Sequence, residues 1–93
     1  MAIKVNDYFG GNVKSLGAEI EGKRFTAGVM LKGEYTFSTE FEERLTFTVG
    51  SAEVQLPGEQ WKTVRVGDTV AAPAKVSFKF RVPNVVSYVC FFK

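Results

Sequence analysis

Turn-forming residues interrupt this chain roughly every 6 to 12 residues, and the segments between them are rich in valine, threonine and phenylalanine. No segment keeps a helical periodicity for more than about two turns. Short segments of this kind favour a β-sandwich or barrel of about eight to ten strands. The predicted strands are residues 12–16, 24–31, 34–39, 43–49, 52–56, 61–66, 69–72, 76–82 and 85–92.

The alternation of apolar and polar residues indicates which strand faces are buried. Residues 52–56 and 76–82 alternate cleanly, which is typical of strands with one face in the core and one in water. Residues 85–92 are apolar on both faces and therefore need cover on both sides. A second sheet layer or a partner subunit could supply that cover, and we expect a homodimer contact here.

The chain length and residue types limit how this fold can be stabilised. The 93 residues fit one domain, predicted to span residues 1–93. Cys90 is the only cysteine, so no disulfide can form within the chain, and without histidine a zinc site is not expected. We predict no metal and no cofactor. A chain this short often needs a partner subunit instead, which again favours a homodimer.

Composition also bears on location and partners. A single thiol and a start that does not look like a signal peptide favour the cytoplasm. No apolar run approaches the roughly 18–20 residues of a membrane helix, so no membrane contact is expected. The net charge is +2 and the basic residues are scattered, which argues against nucleic acid as a partner. A small anionic substrate such as phosphate is compatible with this charge.

Two spacings in the sequence resemble the paired motif of cupin barrels. Glu43 precedes Gly50 as in the first half of that motif, and Gly67–Pro73 has the spacing of the second half. The three positions that hold metal-binding histidines in metal cupins are Phe37, Thr39 and Phe78 here. The predicted fold is therefore an all-β, single-domain, cupin-like double-stranded β-helix (a jelly-roll barrel) with little or no helix. Its mouth would present aromatic faces and one carboxylate, and aromatic faces stack on planar bases.

A longer set of matches is more specific. The run Gly33–Thr39 (Gly-Glu-Tyr-Thr-Phe-Ser-Thr) resembles the small bacterial pyrimidine/purine nucleoside phosphorylases. The other matching segments are Asn6–Phe9, Val13–Ser15, Arg24, Gly28–Met30, Glu43 with Gly50, and Ser87–Cys90. The resemblance implies a cupin fold, a dimer, and phosphorolysis of nucleosides with broad base tolerance. Nucleoside and inorganic phosphate would then give ribose 1-phosphate and the free base.

The residue inventory contains candidates for each part of that reaction. Arg24 and Glu43 are the predicted catalytic residues, with the guanidinium on phosphate and the carboxylate on the ribose hydroxyls. The predicted substrate-binding residues are Tyr35, Phe37, Ser38, Thr39, Phe78 and Met30. The aromatic members would form the base slot, and the hydroxyls would donate hydrogen bonds. Gly28 shares a strand face with Arg24 and is expected to leave room for a ligand.

Less specific interpretations remain open at this point. A non-catalytic barrel that binds a nucleoside, base or sugar would use the same aromatic residues without phosphate. A purely structural dimer module would have no pocket, with Arg24 and Glu43 in solvent and the phenylalanines as core. Binding of single-stranded nucleic acid is the weakest alternative, because no basic stripe accompanies the aromatic residues. Cys90 is interpreted as a small core residue, since no histidine could activate it as a nucleophile.

Overall fold

The computed structural model describes residues 2–93, which form ten β-strands and one short 3₁₀ turn at Phe9–Gly11. The strands are β1 (Lys4–Tyr8), β2 (Val13–Ile20), β3 (Lys23–Met30), β4 (Gly33–Ser38), β5 (Glu43–Val49), β6 (Ala52–Gln55), β7 (Lys62–Val64), β8 (Thr69–Ala72), β9 (Ser77–Val82) and β10 (Val86–Phe92). Within residues 2–93, no helix has the length and apolar character to cross a membrane.

The strands form two antiparallel sheets that pack face to face. One sheet has six strands in the order β1-β2-β3-β10-β5-β8, and the other has four in the order β4-β9-β6-β7. The predicted all-β cupin-like fold is confirmed. The sheets remain separate layers rather than closing into one barrel, so the architecture is a cupin-like β-sandwich.

All nine predicted strands overlap observed ones, but strand β1 was not predicted. It lies at the edge of the six-stranded sheet and pairs only with β2. All its residues except Asn6 are exposed, so it lacks the apolar alternation that marks a half-buried strand. Its place in the sheet comes from backbone hydrogen bonding to β2, which a hydrophobic pattern does not report.

Strand β10 is covered on one face only. It lies between β3 and β5, and Val86, Tyr88 and Cys90 point into the core, where they are buried. On the outer face Phe91 is 42% exposed and packs beside Phe25, with ring centroids 5.8 Å apart. The second sheet therefore covers the inner face of β10, while the outer face is left without a second layer.

One end of the sandwich is solidly packed. Val13, Met30 and Val86 face each other in register across β2, β3 and β10, and all three are completely buried. The rings of Phe47 and Phe80 meet between the sheets at 5.9 Å. These residues hold the two sheets together, and the cavity described below lies beside them.

Thr39 joins β4 to the loop between β8 and β9. Its buried hydroxyl donates a hydrogen bond to the Pro73 carbonyl at 2.7 Å and accepts one from the Val76 amide at 3.0 Å. Its backbone also pairs with Val76 and Lys75. These bonds occupy the hydroxyl that the sequence assigned to substrate, so the structure gives Thr39 a role in holding the loop.

We expect Thr39→Val to lower the free energy of unfolding by about 0.5–1.5 kcal/mol, because two partly buried backbone groups, the Pro73 carbonyl and the Val76 amide, lose their partner. Urea denaturation measures this, and the exposed Thr63→Val is the matched control, expected to stay near the unsubstituted protein. Unchanged stability in Thr39→Val together with weaker substrate binding would instead support the substrate role.

Candidate functional site

A cavity of about 260 Å³ lies between the two sheets beside the packed core, whose Met30 and Phe80 form part of its lining, and we call it the inner chamber. Its aromatic wall comes from β4, β9 and the 3₁₀ turn and includes Phe9, Phe37 and Phe78. Its other wall comes from the six-stranded sheet and carries the polar groups of Ser15 and Tyr88. A planar, mostly apolar ligand with a polar edge would fit such walls.

The chamber exists because β2 and β3 present small residues toward the phenylalanines. In register across the sheet, Ser15 lies beside Gly28, and Gly28 lies beside Tyr88. A Cβ atom on Gly28 would come within 2.6 Å of the Tyr88 hydroxyl and 2.9 Å of the Lys14 carbonyl oxygen. The expectation that Gly28 leaves room for a ligand therefore needs correction, because that space holds the Tyr88 side chain.

A second cavity of about 460 Å³, the vestibule, adjoins the inner chamber on its solvent side. The two cavities share five lining residues, which we call the neck: Tyr8, Thr26, Ser38, Glu43 and Phe92. Arg24, Lys4 and Asn6 line the vestibule but not the chamber. A ligand that spans both cavities would therefore pass Glu43 on its way to Arg24.

Glu43 is a half-buried carboxylate at the neck. Its Oε1 accepts a weak hydrogen bond from the Cys90 thiol, with 3.6 Å between sulfur and oxygen. Burial raises the pKa of Glu43 above its ordinary value of 4.5, and the bond from Cys90 opposes that rise. Little else engages the carboxylate, so it is available for hydroxyl groups of a ligand.

Arg24 extends from β3 along the wall of the vestibule. Its guanidinium carbon lies 5.0 Å from the ring centre of Phe41 and 5.8 Å from that of Phe92. Among residues 2–93, no carboxylate lies within 4.0 Å of it. Aromatic contacts hold a guanidinium by its face and leave its N–H groups to meet an anion.

The other predicted binding residues divide into two groups. Met30, Phe37, Ser38 and Phe78 line the inner chamber, and the rings of Phe37 and Phe78 have centroids 6.1 Å apart. Tyr35 and Thr39 lie outside both cavities.

The position of Tyr35 has a clear physical cause. Its hydroxyl donates a hydrogen bond to the Leu31 carbonyl at 2.7 Å, which holds the side chain over the turn before β4. Its ring packs behind Phe9, with centroids 5.0 Å apart. Tyr35 therefore supports the chamber wall from outside rather than facing a ligand.

Several residues in the chamber were not predicted as site residues. Five of them are Tyr8, Phe9, Ser15, Tyr88 and Cys90. All five lie in segments that carry the family resemblance, Asn6–Phe9, Val13–Ser15 and Ser87–Cys90, and the fold brings these segments together around one cavity. Their presence in the matching segments could have identified them as site residues. Placing them around one cavity, however, requires knowing which strands pair.

The Tyr88 hydroxyl and the Cys90 thiol remain protonated at neutral pH. Burial, with smaller effects from Cys90, Tyr8 and Glu43, raises the pKa of Tyr88 to about 12. Burial and the neighbouring Glu43 raise the pKa of the Cys90 thiol far above its usual range. Cys90 is therefore not a thiolate nucleophile, and Tyr88 is a neutral hydroxyl donor.

The donor set at this site does not resemble a metal centre. In the part of the chain that the structure describes, no three His, Cys, Asp or Glu side chains come together to hold a metal ion. At the positions of the cupin histidines, Phe37 and Phe78 face the chamber, while Thr39 is bonded to the β8–β9 loop.

A sequence model of the pyrimidine/purine nucleoside phosphorylase family matches residues 3–92. The chain belongs to this family. It is 43% identical over 89 residues to a protein named pyrimidine/purine nucleoside phosphorylase from Photobacterium profundum, covering 95% of this chain and 96% of that protein. The resemblance in Gly33–Thr39 and the other matching segments is thus confirmed at the family level.

Solved structures support the same fold. A protein of unknown function from Vibrio parahaemolyticus superposes with a TM-score of 0.96 at 39% identity, with complete coverage of both chains. An RmlC-like cupin from Shewanella frigidimarina superposes with a TM-score of 0.77 at 18% identity, covering 97% of this chain and 82% of that one. The second similarity shows that this family shares the cupin fold.

We expect Glu43→Gln to stabilise the protein at pH 7.5. A carboxyl group whose pKa rises on folding contributes stability below its unfolded value of about 4.5, and that contribution is lost as pH rises through the folded value. The uncharged glutamine amide avoids the cost of burying a carboxylate, so the melting temperature should rise by a few degrees at pH 7.5. The gain should shrink toward pH 4, where Glu43 itself is protonated. Thermal melts across this range measure it, with the exposed Glu59→Gln as control. A lower melting temperature at pH 7.5 would contradict the burial effect.

Proposed function

We propose that this protein is a cytoplasmic, metal-independent nucleoside phosphorylase that accepts both purine and pyrimidine nucleosides. It would convert nucleoside and inorganic phosphate to free base and ribose 1-phosphate. The observation that carries the proposal is the order of chemistry along one continuous cavity. Aromatic rings line the chamber, a carboxylate stands at the neck, and a guanidinium stands in the vestibule. The names of family relatives support the same reaction.

The base belongs in the inner chamber. Phe37 and Phe78 offer ring surfaces there, and stacking of a base on an aromatic side chain contributes about 1–3 kcal/mol. Every nucleobase has a stacking face, so this contact does not distinguish purines from pyrimidines. Broad specificity follows from binding the ring rather than reading its edge.

The sugar belongs at the neck and the phosphate in the vestibule. Breaking the glycosidic bond builds positive charge on the ribose, which the Glu43 carboxylate would stabilise while accepting hydrogen bonds from the sugar hydroxyls. Arg24 would hold phosphate by paired N–H bonds from its guanidinium. With both reactants bound side by side, a phosphate oxygen attacks the ribose carbon as the base leaves.

A second candidate function, binding of a nucleoside without catalysis, is favoured by the charge of the vestibule. Its walls carry three carboxylates, Glu19, Glu40 and Glu43, against the two cations Lys4 and Arg24. This balance suits an uncharged nucleoside better than it suits phosphate. The purely structural alternative predicts no pocket, with Arg24 and Glu43 in solvent. Arg24 is exposed, but the pocket and the half-buried Glu43 disfavour that alternative.

The decisive experiment is release of free base from uridine and from adenosine, with and without phosphate, in the presence of EDTA. We expect release from both nucleosides only when phosphate is present, with ribose 1-phosphate formed in equal amount. Release that needs no phosphate would indicate a hydrolase. Saturable nucleoside binding without release would support the binding protein.

We expect Arg24→Ala to raise the KM for phosphate roughly 10- to 100-fold, since hydrogen bonds to a charged partner contribute about 1.5–3 kcal/mol. The KM for uridine should change less than about twofold by the same reasoning, because the nucleoside lies on the chamber side of the neck. Steady-state kinetics measure both values, with Arg65→Ala on the exposed β7–β8 turn as control. Equal effects on both substrates would remove Arg24 from the phosphate role.

A homodimer is the proposed assembly, and the outer face of the six-stranded sheet is its proposed interface. In register across four strands, this face carries Val5, Leu16, Ala27 and Val89, with Val5 68% and Leu16 51% exposed. Phe91 extends the apolar surface along β10. Contiguous apolar patches on a sheet commonly mark an interface, and a second copy would supply the missing cover for β10.

We expect light scattering to give the dimer mass at micromolar concentration and Leu16→Lys to shift it to the monomer mass, because two charges would be buried at the interface. Thr63→Lys on the opposite sheet should remain dimeric. A monomeric unsubstituted protein would refute the interface.

A further inference from the structure

Tyr88 has a closely packed side chain in the inner chamber. It is only 7% exposed, and its ring tip and hydroxyl lie directly against Gly28 on the neighbouring strand. The pairing of β10 with β5 also shifts register between Ser87 and Tyr88, where Thr48 of β5 has no register partner on β10. The fold therefore fixes where the Tyr88 hydroxyl stands.

A hydrogen bond between Asn6 and Ser15 leads from the vestibule toward Tyr88. The Asn6 side-chain amide donates to the Ser15 hydroxyl oxygen at 3.1 Å. Ser15 is buried and stands in register beside Gly28, against which the Tyr88 hydroxyl lies. An amide nitrogen can only donate, so the Ser15 oxygen accepts from Asn6 and its own proton is free to be donated toward the Tyr88 oxygen. In that arrangement the Tyr88 hydroxyl would keep its own proton for a ligand in the chamber.

Other polar groups of the chamber are less suited to meet the buried edge of a base. Tyr8, Thr26 and Ser38 stand at the neck, and the Ser38 hydroxyl already shares a hydrogen bond with Ser77 at 3.2 Å. The Cys90 thiol donates to Glu43. Tyr88 lines the chamber but not the vestibule.

We propose that Tyr88 is a catalytic residue for the proposed phosphorolysis, donating a hydrogen bond to the leaving base. Pyrimidine and purine nucleosides share an acceptor atom one carbon away from the glycosidic nitrogen, O2 in the first and N3 in the second. When the C1′–N bond breaks, its electron pair passes to the base and increases the negative charge on that acceptor. A donor placed there assists both classes of base without distinguishing them, since its strength rises in the transition state.

The proton balance does not require Tyr88 to ionise. Phosphate forms the new C1′–O bond, and hydrogen phosphate loses one proton in becoming the phosphoryl group of ribose 1-phosphate. The departing base gains one proton, so the two changes cancel. Tyr88 keeps its own proton throughout, as its raised pKa of about 12 requires.

The test is the dependence of Tyr88→Phe on the leaving group. Phenylalanine keeps the ring against Gly28 and removes only the hydroxyl. We expect kcat/KM for uridine and adenosine to fall by about 10²-fold, the typical effect of removing one transition-state donor. With p-nitrophenyl β-D-ribofuranoside, whose leaving group is stable as an anion, the loss should be at most about threefold. The loss for 5-fluorouridine should lie between these values, and the KM for phosphate should not change.

Tyr35→Phe is the matched control, because it also removes a buried tyrosine hydroxyl but one that is bonded to Leu31 outside both cavities. It should lose stability and show no dependence on the leaving group. Should Tyr88→Phe fold poorly, Ser15→Ala gives a second test and is expected to show the same dependence on leaving group with a smaller loss.

Equal losses on all substrates, or no loss, would overturn the role of Tyr88 while leaving phosphorolysis intact. Absence of phosphate-dependent base release by the unsubstituted protein would overturn the proposed function itself, and with it this role.

Discussion

The mismatch in side-chain size between the two facing sheets determines most of what this molecule can do. The four-stranded sheet presents phenylalanines along its inner face, among them Phe37 and Phe78. The inner face of the six-stranded sheet presents large residues such as Met30 in the packed core. Next to them on the same face it presents the small residues Ser15 and Gly28. Because packed sheets are held about 10 Å apart, a small residue such as Ser15 leaves space that the phenylalanines line, while the space above Gly28 is taken by the Tyr88 side chain. The chamber is thus a consequence of residue size along two adjacent strands.

The same arrangement places functional groups where they weaken the fold. Glu43 is half-buried and its pKa is raised by burial, so its charge at neutral pH costs stability. Cys90 lies close enough to Tyr88 to raise its pKa, Glu43 raises the pKa of Cys90, and within residues 2–93 none of these three groups sits in an ion pair. A cluster of this kind is better explained by ligand chemistry than by packing, since an apolar core would be more stable.

Much of the fold could be predicted from the sequence, because alternation in segments such as residues 52–56 reports which face is buried. Strand β1 could not, since an exposed edge strand has no such pattern. For the site, motif spacing was sufficient to place Glu43, Phe37 and Phe78 around one cavity. Tyr35 has the same parity as Phe37, but a local hydrogen bond to Leu31 holds its side chain elsewhere. Tyr88 was missed because its position depends on pairing between distant strands.

The most direct test of this arrangement is a crystal structure of the protein with uridine, grown without phosphate so that the nucleoside stays intact. The predicted result is the uracil ring in the inner chamber against Phe37 and Phe78, with the ribose hydroxyls on the Glu43 carboxylate. Uridine bound elsewhere, for example in the crevice beside Arg81 on the opposite sheet, would contradict the assignment of the chamber as the nucleoside site.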